Sequence, residues 1–173
     1  MRVVAGIAKG RRLVAPKGDA TRPTSDFVRE AVFNALQAHV EVDGATVLDL
    51  FAGTGALGIE ALSRGAAHGT FVESHRAALG AIRTNLGATG FAARATVLAA
   101  DATKGALPAV DLAFADPPYA FMGWSDLLTR IDAGLVVVES DREVDVTDGW
   151  RVLRAKRYGT TVVTLAASTR SSP

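Results

Sequence analysis

Short apolar runs alternate with segments of helical periodicity along most of this chain. Five of the runs predict buried strands, near residues 46–50, 69–73, 95–100, 111–115 and 134–138. The segments between or after them predict helices near residues 56–64, 75–88 and 124–131. Strands and helices that alternate in this way predict an α/β fold with a parallel sheet and right-handed crossovers.

The ends of the chain follow other patterns. Residues 1–15 predict a β-hairpin with its turn at Lys9-Gly10. A helix over residues 26–40 would carry its apolar side chains on one face, at Val28, Val32, Leu36 and Val40. Residues 150–156 and 160–165 predict two final strands. The predicted organisation is therefore a hairpin arm over 1–22, followed by one domain over 23–173.

Charge divides the chain at the same point. Residues 1–22 hold six basic residues and one acidic residue, whereas the remainder holds thirteen basic and seventeen acidic residues. A basic arm on an acidic body predicts a polyanionic partner, with phosphate contacts from Arg2, Lys9, Arg11 and Arg12. Arg151, Arg154, Lys156 and Arg157 form a second basic cluster. A solvated face that aids solubility is the alternative interpretation of either cluster.

The residue composition excludes several kinds of bond and reaction. The chain has no cysteine, so disulfides and methylation at cytosine C5 through a cysteine nucleophile are both excluded. Its three histidines lie scattered without metal-ligand spacing, which predicts no metal. No stretch has the length of a membrane span, and the residues after Met1 lack the apolar core of a signal peptide. The prediction is a cytoplasmic monomer without membrane contact.

A glycine-rich turn follows the first strand of the alternating region. Gly53, Gly55 and Gly58 match the spacing of a dinucleotide-binding turn, and Glu73 follows Gly53 by 20 residues. Glycines at such a turn let a ligand approach the backbone. This stretch alone fits NAD as well as another adenosine cofactor.

Three acidic residues at strand positions favour a different cofactor. Asp49, inside the first strand, suits a ligand that carries an amine or another cation near the turn. Glu73 ends the second predicted strand and can bind both hydroxyls of a ribose, while Asp101 ends the third and can meet an adenine amino group. An amine, a ribose and an adenine without a pyrophosphate describe S-adenosylmethionine.

The tetrapeptide Asp116-Pro117-Pro118-Tyr119 ends the fourth predicted strand. Consecutive prolines cannot continue a strand, so these residues lie at the carboxyl edge of the sheet, where open α/β sheets bind ligands. The Asp116 carboxylate and the Pro117 carbonyl can accept both protons of a planar amino group. Tyr119 can stack on the ring that bears it, so the tetrapeptide predicts amino-group chemistry.

These motifs, in this order, resemble a class I S-adenosylmethionine-dependent methyltransferase of the amino-methylating kind. Arg22-Pro-Thr24, VREAVFNAL at 28–36 and GALGIEALSRGA at 55–66 further resemble the RsmD family of bacterial 16S ribosomal RNA guanine-N2 methyltransferases. The resemblance covers nearly the whole chain. It implies a Rossmann-like, seven-stranded, mostly parallel sheet flanked by helices, with the last strand antiparallel.

The resemblance also implies a set of site residues. Those for the cofactor S-adenosylmethionine are Asp49, Phe51, Gly53, Gly55, Glu73, Ser74, Asp101 and Ala102. Asp116 to Tyr119 would be catalytic, and Arg22 and Thr24 would lie near the mouth of the active site. The implied partner is 16S rRNA, free or within an assembling small subunit.

Three alternatives remain open from the sequence. The Asp-Pro-Pro-Tyr motif is shared with enzymes that methylate amino groups of adenine or cytosine in DNA. An NAD-dependent oxidoreductase would fit the glycine turn, but 173 residues leave little room for a substrate domain. A non-enzymatic RNA-binding protein would explain the basic arm, but it gives no reason for the tetrapeptide.

Overall fold

Seven strands form one sheet in the computed structural model, which describes residues 1–16, 25–146 and 149–170. The strands are β1 (Thr46–Leu50), β2 (His68–Glu73), β3 (Ala95–Ala99), β4 (Val110–Ala115), β5 (Ala133–Ser140), β6 (Trp150–Tyr158) and β7 (Thr161–Ser168). The α-helices of the described residues are α1 (Asp26–Leu36), α2 (Ala56–Ser63), α3 (Arg76–Thr89) and α4 (Trp124–Arg130). A short 3₁₀ turn, Ala92–Arg94, precedes β3.

The strand order is β3-β2-β1-β4-β5-β7-β6. Strands β1 to β5 pair in parallel, whereas β7 runs antiparallel to both of its neighbours. The predicted seven-stranded, mostly parallel sheet with an antiparallel last strand is therefore confirmed. The chain order reverses between β1 and β4, and ligands of open α/β sheets bind at such a switch point.

Helices cover both faces of the sheet. Helices α1, α2 and α3 share one apolar cluster with the sheet, in which the rings of Phe33 and Phe114 lie 5.6 Å apart. Helix α4 packs on the other face, where Leu127 meets residues such as Val136. Full burial of each such side chain contributes about 1.5–3 kcal/mol, so these two layers hold the strand ends in fixed positions.

The predicted N-terminal hairpin is not confirmed as a pair of strands. Residues 3–5 and 13–15 form no strand, and a single antiparallel bridge joins Arg2 to Arg12. Backbone hydrogen bonds also join the two halves, such as that from the Val3 N–H to the Arg11 carbonyl at 3.0 Å. In addition, the Glu60 carboxylate of α2 accepts the backbone N–H groups of Val4 (2.8 Å) and Ala5 (2.9 Å). Residues 1–16 therefore form a docked loop, which we call the N-terminal segment.

Close packing explains why this segment lies flat on α2. A Cβ at Gly6 would stand 1.8 Å from the Ser63 carbonyl oxygen, so only glycine permits this approach. The Ser63 hydroxyl accepts the N–H of Ala8 at 3.0 Å. Val3, Ala8 and Leu13 are buried in the main core. The segment is thus part of the core and not a free arm.

Several boundaries differ from the predicted ones. Helix α1 ends at Leu36, four residues before the predicted end, and Val40 N–H still bonds back to the Leu36 carbonyl in a turn. Strands β5, β6 and β7 are longer than predicted. Across the three described ranges, no helix is long and apolar enough to span a bilayer.

Candidate active site

The carboxyl ends of four neighbouring strands bring the predicted site residues to one edge. Leu50 pairs with Ala115 of β4 and with Val72 of β2, so Phe51, Asp116 and Glu73 follow at adjacent strand ends. Glu73 in turn pairs with Ala99 of β3, shortly before Asp101. These residues come from distant parts of the chain, and the parallel register alone aligns them at the switch point.

The turn after β1 has a left-handed backbone at three positions. Phe51 (φ 57°), Gly53 (φ 55°) and Gly55 (φ 76°) all lie in this region. A non-glycine residue there costs about 1–3 kcal/mol, and such residues cluster at functional sites. A Cβ on Gly53 would meet nothing nearer than the Phe51 carbonyl oxygen at 3.8 Å. The backbone at Gly53 is therefore open to a ligand.

The other two glycines of the motif serve packing. A Cβ on Gly55 would touch the side chains of Phe71, Ile59 and Ile82 at 3.3–3.4 Å, and one on Gly58 would stand 2.4 Å from Phe71. Gly55 also begins α2 as its N-cap. The spacing that resembles a dinucleotide motif thus combines one open position with two that let α2 pack closely on the sheet.

Asp49 lies beneath this turn with only 2% of its surface exposed. Its Oδ2 accepts the N–H of Gly58 at 2.9 Å. Burial raises the pKa of Asp49 to about 8, against the lowering effect of that hydrogen bond, and the nearby carboxylates of Asp116 and Glu73 raise it further. A cation bound above Asp49 would stabilise the ionised form of this buried carboxyl group.

The raised pKa of Asp49 predicts a specific pH dependence of stability. In the native protein Asp49 keeps its proton up to about pH 8, whereas in the unfolded chain it releases the proton near pH 4. The free energy of unfolding therefore falls as the pH rises from about 4 towards 8. Asp49→Asn keeps the shape and stays neutral. Relative to this variant, we expect wild type to lose about 2 kcal/mol of unfolding free energy between pH 6 and 8. Urea denaturation at several pH values measures it, and parallel curves would contradict the account.

Glu73 bridges the turn and the start of α3. Its Oε2 accepts the N–H of Gly53 at 2.9 Å, and its Oε1 accepts those of Ser74 (2.8 Å) and His75 (2.7 Å). The carboxylate is therefore fixed beside the open backbone of Gly53. A fixed carboxylate at the end of β2 can accept the hydroxyls of a ribose without first losing side-chain freedom.

Asp101 lies in a turn after β3. Its Oδ1 accepts the N–H (2.9 Å) and the hydroxyl (2.6 Å) of Thr103, and its Oδ2 pairs with Lys104 at 3.3 Å. The Thr103 hydrogen bonds lower the pKa of Asp101, so it is ionised at neutral pH. Ala102 is buried, and its carbonyl accepts a hydrogen bond from Arg130.

The Asp-Pro-Pro-Tyr turn leaves β4 at the switch point. Asp116 is half-buried, Pro117 is buried and Pro118 is exposed. The N–H of Phe121 closes the turn by donating to the Pro118 carbonyl at 2.8 Å. The Tyr119 hydroxyl lies 3.0 Å from the hydroxyl of Thr161 on β7. That contact fixes one end of the Tyr119 ring.

Arg142 is a site residue that sequence reasoning missed. It donates to the carbonyls of Tyr119 (3.1 Å) and Phe121 (3.0 Å), and it pairs with Asp141 at 2.8 Å. The Phe121 ring lies 5.5 Å from that of Phe51, which follows β1. The pairing of β4 with β5 could have predicted this position. Ala115 pairs with Val138, so the residues just after β5 must lie near the Asp-Pro-Pro-Tyr turn.

The predicted substrate residues divide into two groups. Arg2 and Arg12 face each other in the bridge, near the first turn of α1, where the Arg2 N–H donates to Asp26 (3.4 Å). Lys9 and Arg11 are exposed, and Lys9 belongs to the turn that docks on the far end of α2. Arg22 and Thr24 lie outside the described residues. Among those described, no cluster of three potential metal ligands occurs.

The sequence is similar to a protein family and to two curated bacterial proteins. The model of the family described as "Conserved hypothetical protein 95" matches residues 1–167. "Ribosomal RNA small subunit methyltransferase D" of Escherichia coli is 38% identical over 92% of this chain and 85% of its own length. "Putative rRNA methyltransferase YlbH" of Bacillus subtilis is 40% identical over 95% of this chain and 97% of its own length.

A solved structure agrees with these sequence relatives. "Putative methyltransferase yhhF from Escherichia coli" superposes with a TM-score of 0.82 at 34% identity, over 97% of each chain. The chain belongs to the RsmD family. Its fold is the Rossmann-like fold of class I methyltransferases, as the motifs predicted.

In this member of the RsmD family, the predicted cofactor and catalytic residues lie near the carboxyl ends of the strands. The structure brings Asp49, Phe51, Gly53, Glu73 and Asp116 to adjoining strand ends. Ser74 and Ala102 follow the ends of β2 and β3. The assignment of individual cofactor contacts to these residues stays a prediction.

Proposed function

We propose that this chain transfers the methyl group of S-adenosylmethionine to the exocyclic N2 amine of an exposed guanine in 16S ribosomal RNA. One observation carries the proposal. The Asp116-Pro117 acceptor pair adjoins the Asp49 and Glu73 carboxylates at the switch point between β1 and β4. The site can therefore hold an amino group and an adenosine cofactor side by side. The rRNA methyltransferases among its relatives support rRNA as the substrate.

The residues around the glycine turn fit this cofactor. Glu73 would bind the ribose hydroxyls, Asp49 would balance the positive charge of the methionine part, and Asp101 would accept the adenine amino group. Phe51, Gly53, Gly55, Ser74 and Ala102 would line the same edge. The bound sulfonium supplies an already activated methyl group.

Asp116 and Pro117 would prepare the nucleophile. The N2 lone pair of guanine is delocalised into the ring, so the free amine attacks poorly. Two acceptors that bind both N–H groups pull them out of the ring plane and direct the lone pair towards the methyl carbon. Asp116 and Pro117 would hold the amine in line with the methyl group of the bound cofactor. The nitrogen would take the methyl group as the cofactor's C–S bond broke, with its electrons left on sulfur, and the amine would release one proton to solvent. Positioning of this kind can contribute about 7–11 kcal/mol.

The tetrapeptide also sets the form of the substrate. A base paired within a helix cannot insert its amine between Asp116 and Tyr119, so the target guanine is flipped out or already unpaired. Tyr119, anchored through Thr161, offers its ring for stacking. The basic residues within 1–22 would contact phosphates, while residues 23–173 would catalyse the transfer. The protein would act as a monomer in the cytoplasm, on free rRNA or on an assembling subunit.

Glu73→Ala tests the cofactor assignment. Hydrogen bonds to a charged group contribute about 1.5–3 kcal/mol, so the variant should bind S-adenosylmethionine about 10- to 100-fold more weakly by calorimetry. Glu41→Ala removes an exposed carboxylate before β1 and should bind like wild type. Unchanged affinity in folded Glu73→Ala protein would remove Glu73 from the site. Tight binding of NAD in place of S-adenosylmethionine would instead support the oxidoreductase alternative.

A further inference from the structure

Arg2 of the first basic cluster and Tyr158, which follows the second, both lie at the first turn of α1. On one side, the N–H of Arg2 donates to the Asp26 carboxylate. On the other, the ring of Phe27 contacts that of Tyr158, the last residue of β6, with centroids 6.1 Å apart. Since Asp26 and Phe27 are consecutive, the N-terminal segment and the end of β6 border one surface, although more than 140 residues separate them.

An exposed aromatic pair lies between the clusters. Phe27 is 68% exposed, which is unusual for so large an apolar side chain. Its ring meets Tyr158 edge-on at 76°. The Lys156 ammonium lies 5.2 Å from the centre of the Tyr158 ring. Aromatic rings bordered by cations are the elements with which proteins bind unpaired nucleotides, by stacking on bases and neutralising phosphates.

This surface adjoins the Asp-Pro-Pro-Tyr turn. Tyr158 pairs with Thr161 in the register of β6 and β7, and the Thr161 hydroxyl contacts that of Tyr119. Arg157 donates to the carbonyl of Asp141, the residue that pairs with Arg142. A strand of RNA lying on the aromatic pair would therefore run directly past the residues that hold the target base.

We propose that Phe27 and Tyr158 form a stacking platform for an unpaired nucleotide next to the methylated guanine, and that Lys156 and Arg157 bind the adjoining phosphates. The inference rests on the proposed function for the nature of its substrate. It adds a second RNA-binding surface beside the N-terminal segment, and it assigns that surface to single-stranded RNA. Arg154, Lys156 and Arg157 are all exposed, so their charges are available to a polyanion.

Binding to three matched probes, measured by fluorescence anisotropy without cofactor, tests the platform. The probes are a fluorescein-labelled 12-nucleotide oligouridylate, an abasic strand of the same length and a 12-base-pair RNA duplex. Phe27→Ala should weaken oligouridylate binding about 5- to 30-fold and abasic-strand binding less than about twofold, because only the first probe can stack. Wild type should prefer the oligouridylate to the duplex.

A charge variant separates phosphate contacts from stacking. Lys156→Gln with Arg157→Gln should weaken both single-stranded probes and reduce the slope of log affinity against log salt by about 1.4, since each phosphate contact on single strands contributes about 0.7. Arg83→Gln is the control. It removes an exposed charge from α3, which packs against β3 at the opposite edge of the sheet, and should change nothing.

Two results would overturn the platform. One is Phe27→Ala protein that binds the oligouridylate like wild type, and the other is an equal loss on the abasic strand. A parallel assay of methyl transfer to small ribosomal subunits keeps the two proposals apart. If wild type methylates but Phe27→Ala binds normally, the platform is wrong and the proposed function stands. If wild type does not methylate while Phe27→Ala loses only oligouridylate binding, the platform stands and the proposed function fails.

Discussion

Asp116→Ala should reduce the turnover number for methyl transfer about 100- to 1,000-fold while S-adenosylmethionine affinity changes less than about threefold. Losing one preorganised hydrogen-bonding group at a reacting centre has this order of effect. Cofactor binding should survive because the charge of Asp116 raises the pKa of Asp49. Its removal therefore favours the ionised Asp49 that a cationic cofactor prefers. Single-turnover methylation and calorimetry measure the two quantities separately.

Two further variants make the Asp116 result interpretable. Asp116→Asn keeps the shape and one acceptor oxygen, so its rate should lie between those of wild type and Asp116→Ala. Asp132→Ala removes an exposed carboxylate between α4 and β5 and should keep the full rate. A parallel loss of rate and cofactor affinity in Asp116→Ala would show that Asp116 binds the cofactor and does not act on the amine.

Glu60→Ala should lower the free energy of unfolding by about 3–5 kcal/mol. Glu60 is fully buried beside the equally buried Arg29 (3.5 Å), and it also pairs with Arg64 at 2.9 Å. Removing Glu60 leaves the buried Arg29 with only the half-exposed Asp26 carboxylate, at 2.9 Å. Breaking a buried ion pair costs about this much. The change also removes the acceptor of the Val4 and Ala5 N–H groups. Urea denaturation measures the loss.

The matched control for Glu60→Ala is Glu30→Ala, which removes an exposed carboxylate from α1 and should change stability by less than about 0.5 kcal/mol. A loss below about 1 kcal/mol in Glu60→Ala would mean that the buried network does not hold the N-terminal segment. For the same reason, deletion of residues 1–15 is a poor test of RNA contact, because it would remove Val3, Ala8 and Leu13 from the core. Charge substitutions at the exposed Lys9 and Arg11 avoid that loss.

Local sequence patterns predicted the central strands and helices because nearby residues specify each of these elements. The apolar run before Asp49 and the glycines after it define a strand, a turn and a helix, whatever the rest of the chain does. The prolines after Asp116 end β4 for covalent reasons. The position of Glu73 and Asp101 at strand ends then placed the candidate site at the carboxyl edge of the sheet. The strand order itself came from the family resemblance and not from periodicity.

Long-range contacts account for what the sequence did not reveal. The predicted hairpin strands are not confirmed, because Glu60, a residue in a helical pattern, accepts two backbone N–H groups of the N-terminal segment across 55 residues or more. No local pattern encodes that partner. Arg142 was missed because its role depends on the lengths of β4 and β5, which align Asp141 and Arg142 with the turn. Local patterns also did not reveal that β6 lies beside α1, which the contact between Phe27 and Tyr158 shows.

Identification of the methylated nucleoside tests the central claim most directly. Small ribosomal subunits that lack the modification would be incubated with this protein and S-adenosylmethionine labelled in its methyl group. Their 16S rRNA would then be digested to nucleosides for mass spectrometry. The account predicts label in N2-methylguanosine at a single site, and almost none with Asp116→Ala. Label in another nucleoside, or no transfer to RNA by a folded wild-type protein that binds the cofactor, would contradict it.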